Sequence, residues 1–270
     1  MTGERHPAPR TLTCTVDELT FAYDGHPVFR DLTTAMTGPG IVGLIGENGS
    51  GKSTLLKTIA GILRPHGGTV SVNCPSPEAA VHELPLTERA RLIGYVPQRG
   101  MHDQTSVVYD YIMLGRKPYF TWREREKDRR IVHGLLEELE IADLAFRLTG
   151  ELSGGERQKV VIARTLAQET PILLLDEPTN NLDVRYQLEL FEILRKKVQE
   201  LGLLVITALH DLNIALRYCD SLVLLKRGNL LASGPAREII TPEILAECFR
   251  IEAEILPAGD SLVVHPVKRV

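Results

Sequence analysis

Gly46-Glu47-Asn48-Gly49-Ser50-Gly51-Lys52-Ser53-Thr54 constrains the fold more than any other stretch of this chain. It satisfies G-x-x-x-x-G-K-[ST] and lies between a short apolar run, Ile41 to Ile45, and the helix-period run Leu55 to Leu63. A turn that aims successive backbone N–H groups at phosphate oxygens needs small residues and tolerated positive φ. The helix that follows adds unpaired N–H groups and the positive end of its dipole. Lys52 then reaches β- and γ-phosphates, and the Ser53 hydroxyl can hold Mg²⁺. Strand, phosphate turn and helix in this order predict a nucleotide site.

The rest of the chain reads as an α/β core around that turn. Ile172–Leu175, Leu203–Thr207 and Ser221–Leu225 are apolar runs that suit strands covered on both faces. Helical segments separate them, as in a largely parallel sheet. Thr11 to Tyr23 alternates like a strand, and Gly94 to Pro97 is a short strand leading into Gln98. From about residue 100 the character changes. Val107 to Leu114 and Ile131 to Leu144 have helical spacing, and no strand candidate falls between Gly100 and Gly150. Arg116 to Arg130 carries seven basic and three acidic residues around Tyr119, Phe120 and Trp122, and reads as part of a helical insert, either a solvated face with snorkelling stems or a stretch that lies near a membrane surface. Gly228 marks a hairpin, Pro242 to Phe249 a helix, and Ala253 to His265 a short β appendage. The expected organisation is a loose terminus over residues 1–10, one domain over 11–250 with a helical part at about 100–165, and an appendage over 251–270.

Composition excludes several classes. With 270 residues and 43% hydrophobic content, the chain folds without a metal or disulfide staple. Cys14, Cys74, Cys219 and Cys248 are scattered and form no C-x-x-C pair, so reduced thiols are expected. The longest strongly apolar stretch, Leu201 to Leu209, is nine residues, about half of what a bilayer span needs. The N-terminus MTGERHPAPR lacks the apolar core of a signal peptide, so neither export nor membrane spanning is expected. The net charge of -4 argues against nonspecific nucleic-acid binding.

Ile172-Leu173-Leu174-Leu175-Asp176-Glu177-Pro178 is an apolar run ending in two carboxylates. Asp176 at its tip can supply a hard oxygen to nucleotide-bound Mg²⁺, and Glu177 can polarise an attacking water as general base. Leu152-Ser153-Gly154-Gly155-Glu156-Arg157-Gln158 precedes a helix running to about Gln168. Ser153 with the amides of Gly154 and Gly155 suits a second anion site, and Ser153 suits equally well a helix N-cap.

LSGG followed by Glu-Arg-Gln resembles the signature motif of ATP-binding-cassette (ABC) ATPases. The remaining landmarks of that family fall in order. Tyr23 matches the aromatic that stacks on adenine, and Gln98 the glutamine that contacts Mg²⁺ and links core to insert. Asn180-Asn181-Leu182-Asp183 matches the loop after the acidic pair, and His210 the histidine at the γ-phosphate. The resemblance covers about residues 11 to 250 and implies a P-loop NTPase of the ABC ATPase fold, with a RecA-like core, an antiparallel β subdomain and a helical insert. It implies ATP and Mg²⁺ as cofactors. Lys52, Ser53 and Thr54 would act on phosphate and metal, Asp176 on metal, Glu177 as general base and His210 as γ-phosphate sensor. In the family two such subunits sandwich two ATP molecules, each signature completing the neighbour's site, so a homodimer is expected.

Leu114-Gly115-Arg116-Lys117-Pro118-Tyr119 and the run from His210-Asp211-Leu212-Asn213 to Phe249 resemble the ATPase subunits of importers for iron–siderophore complexes, haem and vitamin B12. The resemblance implies membrane-spanning permease partners, an indirect link to a substrate-binding protein, and a peripheral place on the cytoplasmic face of the membrane. Importers of molybdate, zinc or manganese are the alternative. A non-transport cassette ATPase is further off, because the chain has one cassette and no long coiled coil.

Overall fold

The computed structural model describes residues 11–73, 79–98, 103–120, 123–180, 182–259 and 261–270. Residues 1–10, Cys74, Gly100, Trp122 and Asn181, on which readings above fall, lie outside the described residues. Along β1 (Leu12–Tyr23), Leu12, Cys14 and Val16 point inward. Leu19 and Phe21 regain that face because Glu18, at φ +47°, absorbs an extra residue as a bulge. β1 pairs antiparallel with β2 (His26–Gly38) on one side and with β4 (Gly67–Asn73) on the other. With β5 (Ala79–Ala80) they form a four-stranded sheet of order β2-β1-β4-β5.

The second sheet has the order β10-β9-β3-β8-β7-β6. Its strands are β3 (Gly40–Ile45), β6 (Ile93–Val96), β7 (Ile172–Asp176), β8 (Leu204–Ala208), β9 (Ser221–Lys226) and β10 (Asn229–Pro235). All pair in parallel except the β9–β10 hairpin. β3, β7 and β8 are buried at every position, because both faces of this sheet are covered. On one face, α1 (Lys52–Ile59) and the four-stranded sheet share a core built on Phe29, Leu55, Leu56 and Ile206. On the other, α5 (Gly154–Ala167), α6 (Val184–Leu201) and α7 (Leu212–Tyr218) pack through Val161, Phe191 and Leu216.

α2 (Leu86–Leu92) precedes β6. α3 (Val108–Met113), a 3₁₀ segment at Leu114–Tyr119 and α4 (Glu126–Glu138) join α5 in a helical layer. The charged stretch there is not uniformly solvated. Arg116 is 1% exposed. It donates to Asp128 Oδ1 at 2.9 Å, to the Ala167 carbonyl at 2.6 Å and to Glu169 at 2.8 Å, with Tyr119 4.2 Å beneath its guanidinium. A buried charge persists only when paired and hydrogen-bonded, and this network reverses the solvated-face expectation for Arg116 and Asp128. After β10, α8 (Ala236–Ile239) and α9 (Pro242–Phe249) lead into the hairpin of β11 (Ile251–Ala258) and β12 (Ser261–Arg269). Ala253 and Val264 of that hairpin are buried in the core of the α5–α7 face. No helix among the described residues is long and apolar enough to cross a membrane.

Candidate functional site

Parallel pairing brings the carboxyl ends of β3, β6, β7 and β8 to one edge of the sheet, where ligands of open α/β sheets bind. The loops leaving those ends carry Gly46–Gly51, Gln98, Asp176–Glu177 and His210. Two glycines are sterically required in the first loop. A Cβ on Gly46 would lie 2.2 Å from the Leu225 carbonyl oxygen. Gly51, at φ +107°, would drive one to 2.6 Å from the Phe29 ring.

Lys52 opens α1 and is 5% exposed. Its Nζ donates to the Gly46 carbonyl at 2.8 Å and the Glu47 carbonyl at 3.2 Å, bracing the loop from within. Burial pulls the Lys52 ammonium pKa down, opposed by the charges of Glu177 and Asp176. One residue on, the Ser53 hydroxyl donates to Asp176 Oδ1 at 2.7 Å. Asp176 Oδ2 accepts from the Tyr95 hydroxyl at 3.2 Å. Burial and the Asp176 charge push the Tyr95 phenol up, so Tyr95 is a neutral donor. Tyr95 was not among the sequence candidates; its signal was its place on the short strand that leads to Gln98.

Glu177 takes φ +52°, an uncommon conformation for a residue with a side chain. Its carboxylate meets His210 Nε2 at 2.5 Å and Gln98 Nε2 at 2.6 Å, and also accepts from Asn180 Nδ2. A carboxylate can only accept, so the His210 Nε2 carries the hydrogen. Burial pushes the Glu177 pKa up, but the His210, Asn180 and Gln98 contacts outweigh it and hold the group below the ordinary glutamate range.

Tyr23, Val28, Asn48, Gly49, Gly51, Lys52, Ser53, Thr54 and Glu177 bound one opening of about 300 Å³. Tyr23 is 44% exposed at its rim, braced edge-on by Phe21 with ring centroids 4.9 Å apart. The aromatic, the phosphate loop and the general-base candidate therefore share one cavity. Ser53 and Asp176 are hard oxygen donors side by side. Mg²⁺ needs only one or two such protein groups, taking the rest from phosphate and water, so these residues fit the ion. Among the described residues no cluster of three or more His, Cys, Asp or Glu could hold a metal by itself.

Ser153, Gly154, Gly155 and Asp183 do not bound this opening. Ser153 caps α5 in a reciprocal pair: Glu156 N–H donates to its Oγ at 3.4 Å and Ser153 N–H to Glu156 Oε2 at 2.8 Å. These bonds from Ser153 hold the Glu156 carboxyl down. Asp183 caps α6, accepting from Tyr186 N–H at 3.0 Å.

The family profile described as ABC transporter matches residues 29–180. The chain belongs to the ABC transporter family. An uncharacterized ABC transporter ATP-binding protein of Methanocaldococcus jannaschii is 41% identical, over 93% of this chain and 97% of its own length. The iron(3+)-hydroxamate import ATP-binding protein of Bacillus subtilis is 38% identical over 89% of this chain and 88% of its own. A hemin import ATP-binding protein of Bordetella pertussis is 37% identical over 91% and 95%. Among solved structures, an ABC transporter classed as metal-chelate type, in an inward-facing conformation, superposes with a TM-score of 0.80 at 29% identity, covering 95% of this chain and 96% of the other. The ABC fold accounts for the layers seen here: a parallel core carrying the phosphate loop, an antiparallel sheet against α1, and a helical layer around α5.

Proposed function

We propose that this chain is the ATP-hydrolysing subunit of an importer for a metal chelate, a ferric siderophore first and haem or cobalamin as related cargo. The observation that carries the ATPase reading is the Glu177 carboxylate, held by His210, Gln98 and Asn180 at the mouth of a cavity walled by Lys52 and Ser53. The cargo class rests on the names of relatives, one for iron(3+)-hydroxamate and one for hemin import.

In this reading the backbone from Gly46 to Gly51 and the Lys52 ammonium hold the phosphates, with Ser53 and Thr54 at the start of α1. Ser53, Asp176 and Gln98 would hold Mg²⁺, which would neutralise charge on the phosphate oxygens. Glu177 takes the proton of the attacking water, and His210 fixes the carboxylate and contacts the γ-phosphate. Tyr23 stacks on adenine. Ser153, Gly154, Gly155 and Asp183 lie off the chain's own phosphate opening, so they are assigned to the site of a second copy in a homodimer. ATP that bridges two copies binds the closed pair more tightly than the open one, which is how it drives closure.

Residues 11–250 are assigned to the ATP-binding domain, with its helical part at about 100–165, and residues 251–270 to an appendage. The partners are membrane-spanning permease subunits, with a substrate-binding protein acting through them, and the chain sits peripherally on the cytoplasmic face of the membrane. Uptake of labelled ferric siderophore, haem and cobalamin, each offered alone to cells carrying Lys52→Ala in place of the wild-type chain, tests the reading. Loss of one uptake with the others intact names the cargo. Survival of all three moves molybdate, zinc and manganese ahead.

A further inference from the structure

Asn213, on the first turn of α7, holds the segment that carries His210 against the C-terminal hairpin. Its side-chain oxygen accepts the Val264 N–H at 2.8 Å, and its amide nitrogen lies 3.5 Å from the Val264 carbonyl oxygen. Val264 pairs with Ile255 across the hairpin. On the opposite side it is a strand edge, whose polar groups need a partner when buried. The Asn213 amide supplies that partner in place of a third strand.

Asn213 is also tied towards the catalytic centre. Its backbone N–H donates to Asp211 Oδ1 at 2.7 Å, and Ile214 N–H donates to the same oxygen at 3.1 Å. Asp211 is the residue after His210, and His210 Nε2 meets Glu177 Oε1 at 2.5 Å. On the other flank, Leu209 N–H donates to the Leu44 carbonyl at 3.0 Å, so the backbone at His210 is fixed from both directions. One run of hydrogen bonds and a single peptide linkage thus connects the hairpin to the Glu177 carboxylate. A second tie lies at the hairpin's base. Arg250 Nε is 4.0 Å from Glu47 Oε1 in the phosphate loop, and the Arg250 carbonyl accepts the Val270 N–H at 2.8 Å.

We infer that Asn213 is a positioning residue for ATP hydrolysis, anchoring α7 to Val264 so that His210 stays on Glu177. The inference rests on the reading of Glu177 and His210 as hydrolytic groups. Within this run only His210 reaches the γ-phosphate in the proposed reading, while Lys52, Ser53 and the loop amides lie outside it, so loss of the anchor acts chiefly on the rate and changes ATP affinity little.

The test is a double-mutant cycle on the purified full-length chain, read by phosphate release. Asn213→Ala is expected to lower kcat about fivefold while KM for ATP stays within about twofold, the scale of one lost hydrogen bond. In a His210→Ala background the same change is expected to leave the residual rate within about 1.5-fold, since its target is gone. An equal loss in both backgrounds, or no loss in either, overturns the inference. The second measurement does not depend on turnover: the His210 imidazole resonance of ¹³C-histidine-labelled protein shifts in Asn213→Ala. It stays put in Lys268→Ala, which removes an exposed hairpin ion pair with Glu252 at 3.0 Å. An unmoved imidazole in Asn213→Ala, or an equal shift in Lys268→Ala, also overturns it. A wild-type chain that releases no phosphate overturns the ATPase reading instead, and the resonance then decides the anchor.

Discussion

His210 Nε2 stands 2.5 Å from Glu177 Oε1, joining the ends of two adjacent strands. The register explains the meeting: Asp176 of β7 is opposite Ala208 of β8, so the chain just beyond each strand emerges side by side. Residues 33 positions apart in sequence are thereby brought into contact, as the proposed base and its orienting partner require.

Glu177→Gln keeps the size of the side chain and removes its basicity. Hydrolysis should fall by about 10²-fold or more, with ATP affinity retained because Lys52 and Ser53 are untouched. Phosphate release and titration with a fluorescent ATP analogue check this, and size-exclusion chromatography should show an ATP-trapped dimer. Turnover within about threefold of wild type would remove Glu177 from the role of base.

Lys52→Ala should separate ligand binding from folding. The ammonium is buried at a cost that its two carbonyl partners offset, so the melting temperature without ATP should change by only a few degrees. Saturating ATP stabilises a binding-competent chain by about 2.7 kcal/mol at a hundredfold excess over Kd. That thermal shift should be present in wild type and absent in the variant. A full shift in Lys52→Ala would place the phosphates elsewhere.

Ser153→Ala should produce two separable losses. The cap on α5 costs about 1 kcal/mol of stability when removed, visible in denaturant melts. ATP binding to the isolated chain should be unchanged, since Ser153 does not bound the chain's own phosphate opening, while hydrolysis should fall because the dimer site is incomplete. If ATP affinity of the monomer dropped together with stability, the assignment of Ser153 to a neighbouring copy would fail.

The Arg116–Asp128 pair should make stability depend on acid. Burial pushes the Asp128 carboxyl up, but the Arg125 N–H and the Arg116 guanidinium outweigh it, leaving its pKa below the ordinary aspartate value. A depressed carboxylate adds stability that is complete above its unfolded pKa and is lost as pH falls through the folded one. Asp128→Asn should therefore cost about 3 kcal/mol near neutral pH, and the gap to wild type should narrow below about pH 4. A gap that stayed constant down to about pH 3 would show that charge is not what Asp128 contributes.

The parallel core was legible because its strands are buried on both faces and read as unbroken apolar runs. Ile172–Asp176 and Leu204–Ala208 fall within one residue of the runs seen in the sequence. β2 and β4 were not legible. In β2 the inward face includes Thr34, and Asp31 at φ +54° breaks the alternation. β4 begins with two glycines and has no run long enough to show a period. Arg116 misled for a related reason: a basic residue in a charged stretch reads as solvated, and only the later arrival of Asp128, Ala167 and Glu169 around it allows its burial.

By itself the sequence determined the phosphate loop and the acidic pair, because their chemistry depends on contiguous residue types: small residues at the turn, a lysine at the helix start, carboxylates at a strand tip. Tertiary structure alone decided what those groups touch. That Tyr95 donates to Asp176, that Gln98, Asn180 and His210 close on Glu177, and that Asn213 ties the His210 segment to Val264 are contacts made mostly between segments distant along the chain. They exist because parallel register and packing bring those segments to one edge, and no local pattern encodes that meeting.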